Sequence, residues 1–262
     1  MIGDILRKGQ KLKPAALSLV ALLTSPASAG TYVVGLQNFD YYPHYNFTTD
    51  YDKGFIWAVL ELFGTKSGHK FIYETMPVPR LQKELSKGTV DLIYPDNPVF
   101  YPDGNDIEGK VYSDDVVRTL SGAIVKHDSM SMKMEDVTTV SLPYGFTPLD
   151  WDGKEKSGEI TFVETKNSLA ALLLVEQNKT EAAEVDYFVT KHLSDADPTV
   201  GDFVIAPSLP TNIIGFKLAT IDETAFVHEF NHFLQKNSQE IQALKARYGL
   251  TDPEKILQAI RD

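Results

Sequence analysis

The 262 residues carry 25 basic and 36 acidic side chains, a formal net charge of −11, and contain no cysteine. Without cysteine there are no disulfides, no thiol nucleophile, no thiolate metal site and no acylated cysteine of the kind that tethers a bacterial lipoprotein. The acidic balance repels phosphate backbones and argues against nucleic acid as a partner.

At the N-terminus, Arg7, Lys8, Lys11 and Lys13 precede an apolar run from Ala15 to Leu23 that ends in Pro26-Ala27-Ser28-Ala29. A basic segment, a short apolar stretch and small residues at Ala27 and Ala29 predict a signal peptide over residues 1–29, cleaved before Gly30. Leu17, Leu19, Val20, Leu22 and Leu23 leave no polar face for an amphipathic surface helix, and the run is too short to span a bilayer. No later stretch is long and apolar enough to do so. Removing residues 1–29 takes away four basic residues and Asp4, leaving 21 basic and 35 acidic side chains, a net charge of −14. A leader without an anchor predicts export to the periplasm of a Gram-negative cell. The remaining length suits one large domain or two lobes of roughly 100 residues each.

Thr31 to Leu36 reads as a strand and is followed by a polar-aromatic loop, Gln37 to Phe47. Phe55, Ile56, Val59, Leu60, Leu62 and Phe63 recur at helical spacing between Gly54 and the Gly64/Gly68 exit. Lys70–Glu74 predicts a strand, Arg80–Leu85 a helix closed by Gly88, and Val90–Tyr94 another strand. After a Pro-, Gly- and Asp-rich loop from Pro95 to Gly109 the pattern repeats. Strands are expected at Val116–Val125, Val137–Leu142 and Ile160–Val163, a helix at Ser168–Gln177 and a strand at Val185–Val189. Extended segments at Phe203–Ala206 and Ile213–Lys217 precede helices at Glu223–Gln235 and Gln239–Tyr248 and a short one after Pro253. Alternating strands and helices imply an α/β layer architecture. The last helices have no strand block of their own and are expected to pack on the first lobe. Residues 30–115 and 207–262 would then form one lobe and 116–206 the other, joined by crossings near Tyr112–Arg118 and Val204–Leu209.

Several short motifs occur in an informative order. Tyr42-Pro43-His44-Tyr45-Asn46-Phe47 follows the first strand. Pro79-Arg80-Leu81 leads to Leu85-Ser86-Lys87-Gly88-Thr89-Val90-Asp91-Leu92. Val140-Ser141-Leu142-Pro143-Tyr144-Gly145, Glu184-Val185-Asp186-Tyr187, and Phe230-Asn231 with Ile241 to Leu250 come later. In this order and spacing the chain resembles the family-3 periplasmic solute-binding proteins, the type II clamps that include amino-acid receptors of ABC transporters. The resemblance implies an α/β, two-lobe clamp with two hinge strands that closes on a small polar solute and delivers it to a membrane permease or a sensor kinase. The same resemblance shows two departures. Those receptors have a T-x-x-R arginine for the ligand carboxylate where Pro95-Asp96-Asn97-Pro98-Val99-Phe100 stands here. They also have an aspartate for the ligand ammonium where this chain has Thr190 and Lys191. An ordinary α-amino acid is therefore not the expected ligand.

Among candidate ligand contacts, Tyr42 and Tyr45 belong to the densest aromatic cluster, with Phe39, Tyr41 and Phe47, and aromatic faces can sandwich an apolar or cationic solute. Arg80, and Arg118 in the expected hinge strand, carry guanidinium groups suited to a carboxylate, sulfonate or phosphonate. Asp96 and Asn97 could accept from a ligand hydroxyl or amine. Tyr144 sits where the second lobe begins, and Thr165 precedes a helix whose free N–H groups could meet an anion. His228-Glu229-Phe230-Asn231-His232 matches H-E-x-x-H, the pattern in which two histidines bind zinc and a glutamate activates water. However, Phe226, Phe230 and Phe233 occupy one face of that helix, so both histidines are expected to point at solvent. The sequence thus predicts a monomeric solute-binding clamp with no catalysis, metal or cofactor. A secreted zinc hydrolase, or an enzyme built on the clamp scaffold, is the alternative.

Overall fold

A computed structural model describes residues 29–151 and 153–262, so the expected signal peptide lies, apart from Ala29, outside the described residues. In chain order the elements are β1 (Thr31–Gln37), α1 (Phe55–Ser67), β2 (Lys70–Met76), α2 (Val78–Ser86), β3 (Leu92–Asp96), β4 (Val111–Tyr112), β5 (Val117–Lys126), β6 (Thr139–Pro143), α3 (Lys154–Ser157), β7 (Thr161–Thr165), α4 (Ser168–Glu176), β8 (Ala182–Asp186), α5 (Tyr187–Ala196), β9 (Phe203–Ile205), β10 (Thr211–Thr220), α6 (Thr224–Lys236), α7 (Ser238–Arg247) and α8 (Pro253–Arg261).

Strand order runs β2-β1-β3-β10-β5-β8-β6-β7, with β4 on β10 and β9 on β5. Each half therefore repeats one design. Three strands are parallel (β2-β1-β3 and β7-β6-β8), and a long strand, β10 or β5, closes each set antiparallel. The two halves are the lobes of a clamp. Tyr112 still pairs with β10 in the first sheet whereas Val117 pairs in the second, so the outward crossing lies between them. The return crossing lies inside β10: residues through Phe216 pair with β5, and Lys217 pairs with Asp96 of β3. This is downstream of the expected Val204–Leu209 segment. Phe203–Ile205 pairs with β5 and so still belongs to the second sheet, and residue type does not show that one strand serves two sheets.

Packing decides the local structure. α1 buries Phe55, Ile56, Val59, Leu60 and Phe63, each worth about 1.5–3 kcal/mol, which outweighs the roughly 1 kcal/mol cost of Gly64 within the helix. A Cβ on Gly64 would lie 2.8 Å from the His69 carbonyl, so glycine lets the chain turn closely into β2. Phe226, Phe230 and Phe233 of α6 set their rings 4.9–5.6 Å from that of Phe63, returning the terminal helices to the first lobe. One element differs in kind from expectation. Tyr187–Ala196 is helical, and the strand expected through Val189 ends at Asp186, whose carboxylate caps α5 by accepting from Val189 N at 3.0 Å. The apolar Val185–Val189 run has the composition of a buried strand, and nothing in its periodicity separates the two forms.

The N-terminus of α4 is capped by Asn167, whose side chain accepts from Ala170 N at 2.9 Å. Asn167→Ala is expected to lower stability by about 1 kcal/mol, readable as a fall in the urea midpoint at constant m.

Candidate functional site

In parallel sheets of this order, ligands settle beyond the carboxyl ends of the strands, where the winding direction reverses. Gln37 ends β1 and Asp96 ends β3, and a cavity of about 220 Å³ lies against these ends and against Gly145, just beyond the end of β6. Its first-lobe wall includes Gln37, Tyr41, Tyr45, Pro79, Asp96 and Tyr101, and its second-lobe wall Ser121, Gly145, Phe146, Thr147 and Glu184; Ile214 and Phe216 of β10 form the back.

The aromatic loop is held by the start of α1. Phe55 N donates to Pro43 O at 2.9 Å and Ile56 N to His44 O at 3.1 Å, so loop carbonyls take up the free N–H groups of the helix. Gly54 adopts φ +89°, and a Cβ there would meet the Tyr45 backbone at 2.8 Å. The loop is thus fixed by backbone, and Tyr41 and Tyr45 stack at 5.2 Å against the cavity. Tyr45 donates its hydroxyl to Gln37 Oε1. Burial pushes both tyrosines well above their usual range, and the negative charges of Asp186 and Glu184 add to this for Tyr41.

Beneath the loop, the fully buried His44 joins the lobes. Its Nε2 lies 3.1 Å from Asp186 Oδ1 at the end of β8 and 3.2 Å from Thr119 Oγ1 on β5, and Thr119 also donates to Asp186. At the mouth, the lobes touch directly. Thr147 Oγ1 donates to Phe100 O at 2.9 Å, and the Phe146 ring stands 5.8 Å from that of Phe39. The backbone of Gly145, at φ +81°, passes so close to α2 that a Cβ would sit 3.0 Å from Pro79 and 3.1 Å from Val78. The clamp is closed.

Two carboxyl groups line the cavity, in different states of compensation. Asp96 accepts from Lys110 Nζ at 2.8 Å, Tyr101 Oη at 2.7 Å, Gln82 Nε2 at 3.4 Å and Asn97 N at 2.9 Å. Lys110, 1% exposed, also pairs with Asp106 and lies 4.2 Å from the Tyr101 ring centre. Glu184, 4% exposed, accepts among the described residues from two neutral donors, Trp151 Nε1 at 3.1 Å and Ser121. Burial pushes its carboxyl up to about 8, the two donors oppose this, and Asp150 adds to it.

Of the residues expected from the sequence, Tyr45 and Asp96 line the cavity. Tyr42 packs beside them but turns its ring to His192 and Tyr248, at 4.6 and 6.0 Å. Asn97 donates to Gly215 O at 2.6 Å and caps the short 3-10 turn Pro98–Phe100. Arg80, 63% exposed, pairs with Glu84, and Arg118, 51% exposed, pairs with Glu254; neither reaches the cavity. Tyr144 is exposed beside lining residue Gly145, and Thr165 Oγ1 bonds the Leu142 and Asn167 carbonyls at 3.0 Å. The site residues absent from the expectation are Gln37, Tyr101, Ser121, Phe146, Phe216 and above all Glu184. An acid inside the otherwise apolar Ala182-Ala183-Glu184-Val185 run was a readable signal, because an unpaired charge is rarely buried.

In the H-E-x-x-H helix, His228 and His232 are exposed while Phe226, Phe230 and Phe233 are buried. Glu229 lies 3.1 Å from His69 Nε2, and Glu240 pairs with Lys66 at 2.8 Å. Among the described residues, no three histidine, aspartate or glutamate side chains converge in a way that could hold a metal ion. The zinc arrangement is therefore not assembled by these residues.

No family model matches the sequence, and no curated protein matches it either. Solved structures do match in fold. An arginine third transport system periplasmic binding protein from Legionella pneumophila shares 14% identity over 84% of this chain and all of its own, with a TM-score of 0.66. The GluR0 ligand-binding core in complex with L-glutamate shares 15% over 84% and 99%, with a TM-score of 0.66. A histidine kinase sensor domain with similarity to periplasmic binding proteins shares 16% over 83% and 95%, with a TM-score of 0.68. At these identities the likeness concerns the fold, and it agrees with the repeated 2-1-3 strand order and the two crossings: the chain has the type II periplasmic-binding fold, a two-lobed α/β clamp.

Proposed function

We propose that the chain is a periplasmic solute-binding protein that captures a small molecule between its lobes without altering it. The observation that carries this reading is the cavity itself, walled by both lobes and shut by the contact of Gly145 with Pro79. A solute touching both walls binds the closed form better than the open one, and that difference in affinity drives closure. The first lobe comprises residues 30–115 and the chain beyond the middle of β10, with the second lobe between. A monomer exported by its leader would present the closed form to a permease or to a sensor kinase. The fold supports both, since it occurs in a transport-system binding protein and in a kinase sensor domain.

The test is a thermal-shift screen with anionic, neutral and cationic solutes, followed by recovery of the bound solute. A saturable rise in Tm with the solute returned unchanged is expected. Gly145→Leu would press a side chain against Val78 and Pro79 in the closed form, in addition to the backbone strain any side chain meets at φ +81°, and should weaken binding roughly tenfold or more, about 1.4 kcal/mol, with a thermal melt showing the variant folded. Turnover of the solute, or an affinity indifferent to Gly145→Leu, would sink the reading.

A further inference from the structure

Across the molecule, acidic groups near the cavity differ in one respect that bears on what the cavity holds. Asp96 has its counter-ion inside the protein, Lys110 at 2.8 Å. Glu184 has none: among the described residues no basic group forms an ion pair with it, and its two donors are the neutral Trp151 and Ser121. Among the described residues no lysine, arginine or histidine lines the cavity, so none of them would neutralise a ligand carboxylate, phosphonate or sulfonate there. Arg80 and Arg118 are both engaged with acids outside. The N-terminus of α4, where the sequence suggested an anion could sit, has Asn167 seated on Ala170 N.

The walls point the same way. Tyr41, Tyr45, Phe100, Tyr101, Phe146 and Phe216 surround the space, and an aromatic face attracts a cation through its ring quadrupole. The field of a chain with net charge −11 also draws cations toward a cleft. An anion would meet no compensating positive group among the described lining residues, only aromatic faces and a repulsive field.

We infer that the cavity takes a small organic cation without a carboxylate, an amine or quaternary ammonium, with Glu184 as its counter-ion and the aromatic rings as its walls. This rests on the clamp reading, and names the ligand class for the same site. Glu184 is the specificity-determining residue: on giving up its proton it becomes the charge partner of a cation, whereas it offers an anion no positive charge. In the free protein burial favours its protonated form, with Asp150 adding to that preference. Tyr41 beside it is too strongly held as the neutral phenol to supply a charge. Cation binding therefore displaces the Glu184 proton.

The experiment is titration calorimetry of the purified protein with choline, tyramine and tetramethylammonium, with 3,3-dimethyl-1-butanol as the uncharged isostere of choline, and with L-arginine, L-glutamate and succinate. At least one of the three cations should bind saturably, the isostere much more weakly. Glu184→Gln, which preserves size and can still accept from Trp151, should cost that cation roughly 10- to 100-fold in affinity while a thermal melt shows the variant folded. Phe146→Leu is a second variant at the mouth and should cost about 3- to 30-fold. For choline or tetramethylammonium, affinity should fall up to roughly tenfold per pH unit below about 8, the range set by Glu184, and Glu184→Gln should flatten the profile. Binding of L-glutamate, succinate or the uncharged isostere in preference to every cation would overturn the ligand class and leave the clamp standing. A cation whose affinity ignores both variants would overturn the assignment to Glu184 and the aromatic walls. If none of these solutes binds, the ligand-class inference fails, and the broader screen described above decides the clamp reading on its own terms.

Discussion

Lys110→Met is expected to lower the unfolding free energy by about 3–5 kcal/mol, because removing one partner of a buried ion pair leaves the other charged and unsolvated. Lys110 is 1% exposed and holds Asp96, itself 1% exposed, at 2.8 Å; it also pairs with Asp106 and donates to Gln82 Oε1 at 2.8 Å. Burial works to raise the Asp106 carboxyl, but hydrogen bonds from Lys110 and Tyr112 prevail and hold it below its usual range. Methionine fills the space of the lysine stem while deleting three donors, so the loss measures the polar cluster rather than a void. Urea unfolding with unchanged m reads it. Adding Asp96→Asn should recover part of the loss, since the orphaned charge is then gone. A drop of less than 1 kcal/mol for Lys110→Met would mean that the acids neutralise or rehydrate freely. The same cluster fixes Asp96 as wall rather than ligand partner, because its oxygens are already occupied.

What the sequence disclosed depended on whether the signal was local. Gly54 and Gly68 bracket α1 because a tight approach and a left-handed cap need glycine there, and such punctuation can be read from residue types. The aromatic face of α6 was legible for the same reason: Phe226, Phe230 and Phe233 keep helical spacing, and their burial leaves His228 and His232 outside. The repeated strand–helix grammar disclosed the lobes. What could not be read were relations between distant residues. Lys110 looks like an ordinary loop lysine until β3 brings Asp96 beside it, and Arg80 looks like an anion receptor until Glu84 claims it one helical turn away. The choice between Tyr42 and Tyr41 as cavity wall turns on how α1 captures the loop carbonyls, which no residue type announces. β10 serves both sheets, and only pairing reveals where it changes over.

Glu184 gives the pH dependence of stability an unusual sign. Its carboxyl is raised from 4.5 to about 8 by burial, so between those values the folded chain holds a proton that the unfolded chain has released. Stability then falls as pH rises, by up to about 1.4 kcal/mol per unit, the free-energy equivalent of one pKa unit. The contribution is fully present below pH 4.5 and lost as pH passes through about 8. Carboxyls held below their usual range, among them Asp106 and Glu181, act in the opposite direction and at the acid end, losing their contribution as pH falls through their lowered values. They therefore leave the interval from about pH 5 to 8 to other groups. Glu184→Gln removes the titration and keeps an acceptor for Trp151. The stability of the natural chain minus that of the variant should decline by about 3–4 kcal/mol from pH 5 to 8, while the variant's own profile flattens by the same amount. Chemical unfolding at half-unit pH intervals measures both curves, and every group common to the two chains cancels in their difference. Parallel curves would mean that Glu184 is ionised throughout, and that its charge is compensated within the protein rather than left for a bound cation to meet.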